Sequence, residues 1–584
     1  MEEHTTNKGL VQSERELLAR LAHLPVMGKI LFVLAFFVFL STSFALIAKA
    51  INTQLVEVPR HGGGLVEGII GRPRFINPVI AKSDADRDMS ALVYSGLLKP
   101  TPEGELAPDL ARDYEISDDG LTYTFTLKDN LVWHDGVAIT SDDILFTINK
   151  VRNIGLAIKS PRRASWEGVE IVTPDTKTIV FHLKQPYAQF LENTTMGIIP
   201  KHVWQNVPDE EFDVSYYNID PIGSGPYRIK QLTRDAQGLP QYYDLIAFKK
   251  YQAGEAYITD LRIQFFGNNQ ELAQAYSDGS IDQMHALTPE AAKALEAHGG
   301  NVARTPLPRI FAIYFNQNQQ PIFTDSAVRK ALGTALNKDN IVSNVLDGYG
   351  KTIEGPLPFL EKTDTSASTS DRIADAKIIL EKAGWTKNAA NIYEKIDKNK
   401  KTARLLEFSI SLPDVPELKN AAELAKNDWT KLGAAVTIRV FEQSSFSSDI
   451  LSPRKYDALL FGQVIGREPD PYPYWHSSQR NSPGLNVALY ANKKVDQLLE
   501  SARKESDMVK REELLTQFDA VIQDEAPAIF LYSPDFLYAT SPKVSGIHIG
   551  FITTESERFL GIENWYIQSE RVWKWIANRM KRTP

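Results

Sequence analysis

The longest uncharged apolar run in the chain lies near its N-terminus. Residues Ile30 to Ala48 carry no charged side chain. Their number is close to the roughly 20 residues that a helix needs to cross a hydrocarbon core about 30 Å thick. The pattern predicts one transmembrane helix over 30–48, preceded by a leader at 1–29 and followed by a polar tether at 49–61.

Two interpretations of this helix compete, a cleaved signal peptide and an uncleaved signal anchor. The sequence AKA at 48–50 has the small-x-small form of a cleavage site. The apolar run, however, exceeds the roughly 7 to 15 residues usual in signal peptides and follows a polar leader, which favours the anchor. The nearest basic residues are Arg15, Arg20 and Lys29 before the helix and Lys49 and Arg60 after it. This excess favours a cytoplasmic N-terminus and an extracytoplasmic body.

Beyond residue 61, the spacing of apolar residues is typical of strands in some segments and of helices in others. LTYTFTLK at 121–128 and TKTIVFHLK at 176–184 place apolar residues at every second position, which predicts half-buried strands. Thr140 and Asp143 have the spacing of a capping box at the start of a helix. Further helices are predicted at 324–336, 371–383, 417–432, 493–504 and 508–524, and strands at 65–70, 435–441 and 456–461. The alternation over about 310–530 predicts an α/β domain.

Composition narrows the possible functions. The 584 residues include 65 Lys and Arg against 73 Asp and Glu, a formal net charge of −8, and 43% are hydrophobic. This balance predicts a globular body and no nucleic-acid partner. The Lys-rich segment KIDKNKK at 395–401 is interpreted as a solvated hairpin tip between two strands. Because the sequence has no cysteine, disulfides and thiol nucleophiles are excluded.

Sequence motifs for catalysis are incomplete. HGGG at 61–64 resembles an oxyanion loop, but the sequence has no G-x-S-x-G nucleophile motif. GYGKT at 348–352 ends like a phosphate-binding loop, yet Val345 stands where its first glycine should be. The ten histidines form no H-E-x-x-H, and HDG at 134–136 is interpreted as a polar turn. We therefore expect no enzyme activity, no cofactor and no metal site.

Seven blocks of sequence, in order, carry a resemblance to a known family. They are GGGLVEGIIGRPRFINP (62–78), the stretch 93–148 with G-x-L-x-P-x-L-A, DDGLTYTF and WHDG, PIGSGPY (221–227), 325–350, AKIILEKAGW (376–385), EPDPYPYWHS (468–477) and DEAPAIFLY (524–532). Together they resemble the extracytoplasmic solute-binding proteins of ABC transporters, family 5, typified by oligopeptide and dipeptide binders.

The resemblance implies a two-lobed α/β architecture, the type II periplasmic-binding-protein fold enlarged by an extra β-rich subdomain. Lobe I would combine 62–105, 222–308 and 532–570, with the subdomain at 106–221, lobe II at 309–531 and a C-terminal tail at 571–584. Chain crossings near Arg309 and Tyr532 would form a hinge, and the lobes would close on a solute between them.

The resemblance also implies a function without covalent chemistry. A monomeric body would capture a peptide or peptide-like solute outside the cell and present it to permease subunits driven by separate ATPase subunits. Two alternatives remain open. One is a membrane-tethered receptor or sensor that uses this fold without transport. The other is a binder of a non-peptide solute such as an oligosaccharide, a metal chelate or haem.

By resemblance, the segment 461–469 lines the cleft, and its backbone pairs with an extended peptide as an added strand. The predicted ligand-binding residues are Phe461, Gly462, Gln463, Val464, Ile465, Glu468, Tyr472, Trp475, Tyr94 and Tyr532. Familiar peptide binders carry an aspartate for the peptide's α-ammonium three residues before the acidic-Pro pair, where this chain has Ile465. Recognition is therefore expected not to depend on a free α-amino group. The glycines of PIGSGPY are interpreted as shaping a turn.

Overall fold

The computed structural model describes residues 25–158, 162–358, 360, 371–397 and 402–580. They belong to two compact units. The first combines the described parts of Met1–Arg60 and Gln568–Pro584, and the second is His61–Ile567.

The first unit contains a long apolar helix and a two-stranded sheet. The helix Val26–Gln54 includes the predicted span and is, among the described residues, the one helix long and apolar enough to cross a membrane. The strand Leu55–Arg60 pairs antiparallel with Gln568–Trp573, and the helix Lys574–Met580 follows.

This pairing corrects the predicted tether at 49–61, the C-terminal tail at 571–584 and the end of lobe I at 570. Leu55 lies opposite Trp573 and Val56 opposite Val572. Such apolar cross-strand pairs stabilise a two-stranded ribbon, so these segments form a helix end and paired strands rather than linkers.

The second unit is built on a 12-stranded mixed sheet in the described residues. Ten strands follow one path, in the order Ala435–Phe441, Glu407–Pro413, Ala458–Val464, Arg309–Phe315, Ala528–Thr540, Gln283–Met284, Gly64–Ile70, Asp260–Phe266, Pro240–Ala247 and Tyr227–Arg234. Asn301–Pro306 and Gly350–Thr352 also pair with Ala528–Thr540, which we call the crossing strand. Its first half pairs within lobe II and its second half within lobe I.

Smaller sheets complete the second unit. The strands Ala111–Ile116, Thr122–Leu127, Thr178–His182 and Glu170–Val172 form a four-stranded antiparallel sheet in the segment predicted as the extra subdomain. Leu98–Pro100 pairs with Leu106–Pro108, and Thr386–Lys387, Tyr393–Asp397 and Thr402–Leu405 form a three-stranded sheet. The tip of the predicted lysine-rich hairpin, 398–401, lies outside the described residues.

Helices cover the sheet. Before residue 308 they are Asp84–Val93, Ser141–Ile158, Arg162–Trp166, Phe190–Asn193, Lys201–Trp204, Asn269–Ser277 and Pro289–Ala297. After it they are Ser326–Ala335, Lys338–Val345, Arg372–Lys382, Pro416–Leu432, Gln443–Phe446, Tyr472–Trp475, Lys493–Lys504 and Met508–Glu525. Capping side chains help to fix where these helices begin. At the start of Lys493–Lys504, for example, the Asn492 side chain accepts hydrogen bonds from the N–H groups of Lys494 and Val495.

Lobe II has a core on each face of its sheet. Along Arg309–Phe315, Ile313 and Phe315 pack into one cluster, and Ala312 and Tyr314 pack into the other. Successive side chains of a strand point to opposite faces, so this alternation buries the strand on both sides. Both faces are covered, as expected of a sheet in an α/β protein. Lobe I and the subdomain share one large core.

Candidate solute-binding site

A cavity of about 530 Å³, which we call the main cavity, opens beside the predicted cleft segment. Six predicted residues line it, namely Phe461, Gly462, Gln463, Val464, Arg309 and Tyr532. The sequence did not identify four polar residues that also line it, Glu417, Gln443, Asp535 and Glu555. These four come from separate segments and match no motif, so their meeting depends on the tertiary fold.

The strand Ala458–Val464, which we call the cleft strand, presents an edge to this cavity. On one side it pairs along its whole length with Arg309–Phe315, from Ala458 opposite Phe315 to Val464 opposite Arg309. On the other side the parallel strand Glu407–Pro413 pairs only with Ala458 and Leu459. In the described chain no strand pairs with 460–464 on that second side. The backbone there is an open edge.

Aromatic rings form the wall behind the open edge. Phe311 stacks on Tyr532 with ring centroids 5.0 Å apart, and Phe461 stacks on Phe446 at 6.0 Å. A Cβ atom on Gly462 would lie 2.7 Å from the Phe311 ring, so a larger residue at this position would displace that ring. Val464 at the end of the strand is 47% exposed. The Val464 carbonyl accepts a hydrogen bond from the Tyr474 hydroxyl at 2.9 Å. The cavity therefore combines an apolar wall with main-chain groups at 460–463 that no strand of the described chain pairs on this side.

The structure places two predicted ligand residues of this region in the lobe II core, away from the main cavity. Ile465 is buried, and its N–H donates to the carbonyl of Pro308 at 2.7 Å. Trp475 is 1% exposed and packs against the rings of Tyr314 and Phe530. Their apolar side chains are taken up by packing, and neither lines the main cavity.

Glu468 and Tyr472 are also held by neighbours outside the main cavity. Glu468 pairs with Arg511 at 3.1 Å, and burial raises its pKa although Arg511 opposes the shift. Tyr472 lies between His476, with ring centroids 4.0 Å apart, and the guanidinium of Arg503 at 3.9 Å. These contacts give both side chains structural partners.

Tyr94 lines a different cavity of about 320 Å³ in lobe I, which we call the second cavity. Tyr94 is 5% exposed and Ser90, one helical turn before it, is 8% exposed. Neither hydroxyl has a hydrogen-bond partner among the described residues. A buried hydroxyl without a partner is costly, so this cavity suits a polar occupant.

The two predicted hinge residues lie next to two segments that contact each other. Arg309 follows Leu307 and Pro308, and Tyr532 precedes Ser533 and Pro534. Leu307 N–H donates to Pro534 O at 3.0 Å, and Ser533 Oγ donates to Leu307 O at 2.8 Å. Arg309 pairs with Glu555 of lobe I at 3.2 Å.

Behind Glu555 lies a buried ionic cluster that sequence reasoning missed. Arg558 donates to Glu67 at 2.9 Å and to both carboxylate oxygens of Asp88 at 2.8 Å. His285 lies 3.4 Å from Asp88 and 3.2 Å from Glu555. Burial opposes ionisation of Asp88, but Arg558 and His285 outweigh it and lower its pKa to about 2. The cluster fixes the short helical turn Glu555–Phe559, which carries Glu555 and Glu557.

Two motifs considered for chemistry have structural contacts. In PIGSGPY, a Cβ on Gly223 would lie 1.9 Å from the carbonyl oxygen of Val93, so this loop packs directly on backbone. The His134 ring bonds to the Gly223 N–H at 3.2 Å and to the Gly225 carbonyl at 3.1 Å. Burial lowers the pKa of His134 to about 4. A neutral ring, accepting at Nδ1 and donating at Nε2, matches both bonds.

Comparison with known proteins identifies the fold. The sequence pattern of bacterial extracellular solute-binding proteins, family 5 Middle, matches residues 105–485. The oligopeptide-binding protein AppA of Bacillus subtilis is 29% identical over 502 residues, which is 84% of this chain and 89% of that protein. The structure of AppA in complex with a nonapeptide covers 88% of this chain and 100% of its own, with a TM-score of 0.66 and 25% identity.

A second solved structure, NikZ from Campylobacter jejuni in complex with Ni(L-His), covers 86% of this chain and 99% of its own, with a TM-score of 0.69 and 25% identity. These likenesses confirm the predicted two-lobed α/β fold. The chain belongs to the bacterial extracellular solute-binding proteins of family 5.

Proposed function

We propose that this chain is a membrane-tethered, extracytoplasmic binding protein that captures an extended peptide between its lobes and delivers it to an ABC-type importer. Family membership supports solute capture, and the similarity to AppA, solved with a nonapeptide, supports a peptide as the solute. The helix Val26–Gln54 supports anchoring near the permease, which would raise the effective concentration of the binding protein there.

The open edge of the cleft strand is the observation that carries this proposal. An extended peptide could add to 460–464 as a further strand, since the neighbouring strand pairs only with Ala458 and Leu459. Main-chain hydrogen bonds made in this way give affinity for many peptide sequences. The aromatic wall of Phe311, Phe461 and Tyr532 would contact alternate side chains of the bound peptide.

The experiment tests strand addition directly. Peptides that co-purify with the full chain in detergent are identified by native mass spectrometry, synthesised, and methylated at one backbone nitrogen at a time. Removing a main-chain hydrogen bond costs about 1 kcal/mol, so we expect roughly fivefold losses of affinity at every second position. Equal tolerance of methylation at every position would refute strand addition. Co-purification of a metal chelate without peptide would favour a non-peptide solute.

Two further measurements test the remaining parts of the proposal. Because Ile465 is in the core, N-acetylated and free forms of a bound peptide should bind equally in calorimetry, and a strong preference for the free amine would contradict this. Closure about the crossings at 307–308 and 533–534 should reduce the radius of gyration on binding. Unchanged X-ray scattering at saturation would instead favour a receptor that does not close.

A further inference from the structure

Arg467, just beyond the cleft strand, inserts its side chain from lobe II into lobe I. The side chain is 3% exposed. Its Nη2 donates to Glu557 Oε2 at 2.7 Å, and its Nε lies 3.6 Å from Glu192 Oε1. Its Nη1 donates to the Phe551 carbonyl at 3.4 Å. Two carboxylates of the opposite lobe therefore compensate the positive charge of this arginine.

Both carboxylates line the second cavity together with the unpartnered hydroxyls of Tyr94 and Ser90. Glu557 is held in place, because it accepts hydrogen bonds from the N–H of Thr553 at 2.7 Å and from its hydroxyl at 2.9 Å. Glu192 Oε1 is buried without a hydrogen-bond partner in the described residues. Burial raises the pKa of Glu192 to about 7, against the opposing effect of Arg467.

The second cavity is also lined by Arg87, Lys99 and Arg162. Its two acids and two hydroxyls are chemically suited to a cation with several N–H donors. A guanidinium is such a cation, and here the chain supplies it. The two carboxylates are therefore already neutralised by a side chain of the protein itself.

We propose that Glu192 and Glu557 form a cation receptor in lobe I that the chain fills with its own Arg467. Arg467 thereby determines specificity, because it removes the ionic contact that a cationic group of the solute would otherwise make beside the second cavity. This inference about specificity rests on the proposed function, whereas the receptor itself can be tested without any peptide.

The first experiment uses the full chain in detergent with Arg467→Ala. Ethylguanidinium reproduces the atoms that this substitution removes. We expect saturable binding of ethylguanidinium to the variant, seen by calorimetry and as a rise in melting temperature, and none to the unchanged chain or with Arg467→Lys. N-ethylurea, which has a similar shape but no charge, should not bind. Addition of Glu557→Gln should weaken ethylguanidinium binding by about tenfold or more.

A matched control is Arg262→Ala, whose arginine pairs with Asp244 at 2.7 Å but has a 40% exposed side chain. It should gain no ethylguanidinium site. Ethylguanidinium binding to Arg467→Ala that is absent, or equal to that of the control, would overturn the proposal. If Arg467→Ala does not fold, Arg467→Met keeps an apolar stem but lacks the terminal guanidinium atoms, which leaves room beside the carboxylates for ethylammonium as a smaller cationic probe.

The second experiment measures selectivity by native mass spectrometry with a mixture of free and N-acetylated tripeptides. Arg467→Ala and Arg467→Met should enrich free amines at least about tenfold over the unchanged chain, because the receptor is then vacant. Peptides that bind without this enrichment would overturn the assignment of specificity. If neither the unchanged chain nor its variants bind peptide, but ethylguanidinium binds Arg467→Ala, the proposed peptide function is refuted and the proposed cation receptor is supported.

Discussion

Arg558→Met should be among the most destabilising single substitutions in lobe I. The Arg558 side chain is 0% exposed, as are those of Glu67 and Asp88, with which it pairs at 2.9 and 2.8 Å. Methionine would fill most of the volume but leave both carboxylates buried without their counter-ion. Removing one partner of a buried pair costs about 3 to 5 kcal/mol. Since His285 lies 3.4 Å from Asp88 and partly compensates its charge, we expect the lower end of that range.

Calorimetry of the full chain in detergent measures the effect. For a unit as large as His61–Ile567, about 3 kcal/mol corresponds to a fall of roughly 3 °C in melting temperature. The control is Arg262→Met, because Arg262 also donates to both oxygens of an aspartate, Asp244, but at a 40% exposed position. Exposed pairs contribute about 0 to 1 kcal/mol, so the control should change little.

Solute affinity should also fall in Arg558→Met, because Arg558 anchors the turn Glu555–Phe559 that carries Glu555 and Glu557. Adding Asp88→Asn and Glu67→Gln to Arg558→Met should recover part of the stability, since no unpaired charge is then buried. Melting temperatures of Arg558→Met and Arg262→Met that agree within about 1 °C would refute the reasoning. They would show that burial does not make loss of the arginine more costly.

Three further predictions concern pH and the chain ends. Burial and Arg558 lower the pKa of His285, but Asp88 and Glu555 outweigh them and raise it to about 9, so its stabilisation should be complete below pH 6.5 and lost as pH rises through 9. His285→Gln should abolish that part of the melting profile. The fragment His61–Ile567 should be soluble and monomeric in size-exclusion chromatography, and aggregation would contradict its independence. Intact mass of the native protein should retain Met1 to Ala50, whereas a start at Ile51 would show cleavage after AKA.

Elements with strong local signals could be predicted closely from the sequence. The helix 493–504 was predicted with the bounds that the structure has, and the strand 435–441 likewise. The helix predicted at 417–432 begins one residue before its predicted start, at Pro416, and ends at Leu432. The next residue, Gly433, has a left-handed backbone conformation. The spacing of apolar residues, the N-cap side chain and a glycine after the last turn are all local sequence features. They can therefore be recognised without knowing the tertiary structure.

Long-range pairing could not be predicted in the same way. The strand Leu55–Arg60 was interpreted as tether because its partner, Gln568–Trp573, is at the other end of the chain. The ionic cluster of Glu67, Asp88 and Arg558 likewise joins distant segments. In the candidate site, tertiary contacts determine whether an aromatic side chain lines the cavity or packs in the core. Trp475 has the aromatic character of a ligand wall, yet it packs in the core.

The cleft shows how a binding protein can separate affinity from selectivity. Main-chain groups at 460–463 that no strand pairs on the open side are available to any extended solute, so they offer affinity without discrimination among side chains. Discrimination must then come from charges placed around that edge. On the lobe II side, Ile465 is in the core and Glu468 is paired with Arg511, so neither leaves a free carboxylate there. On the lobe I side, Glu192 and Glu557 are already paired with Arg467. A cation on the solute therefore gains little from these paired acids, and any contact with a carboxylate would be made elsewhere in the main cavity, where Glu417 and Asp535 lie.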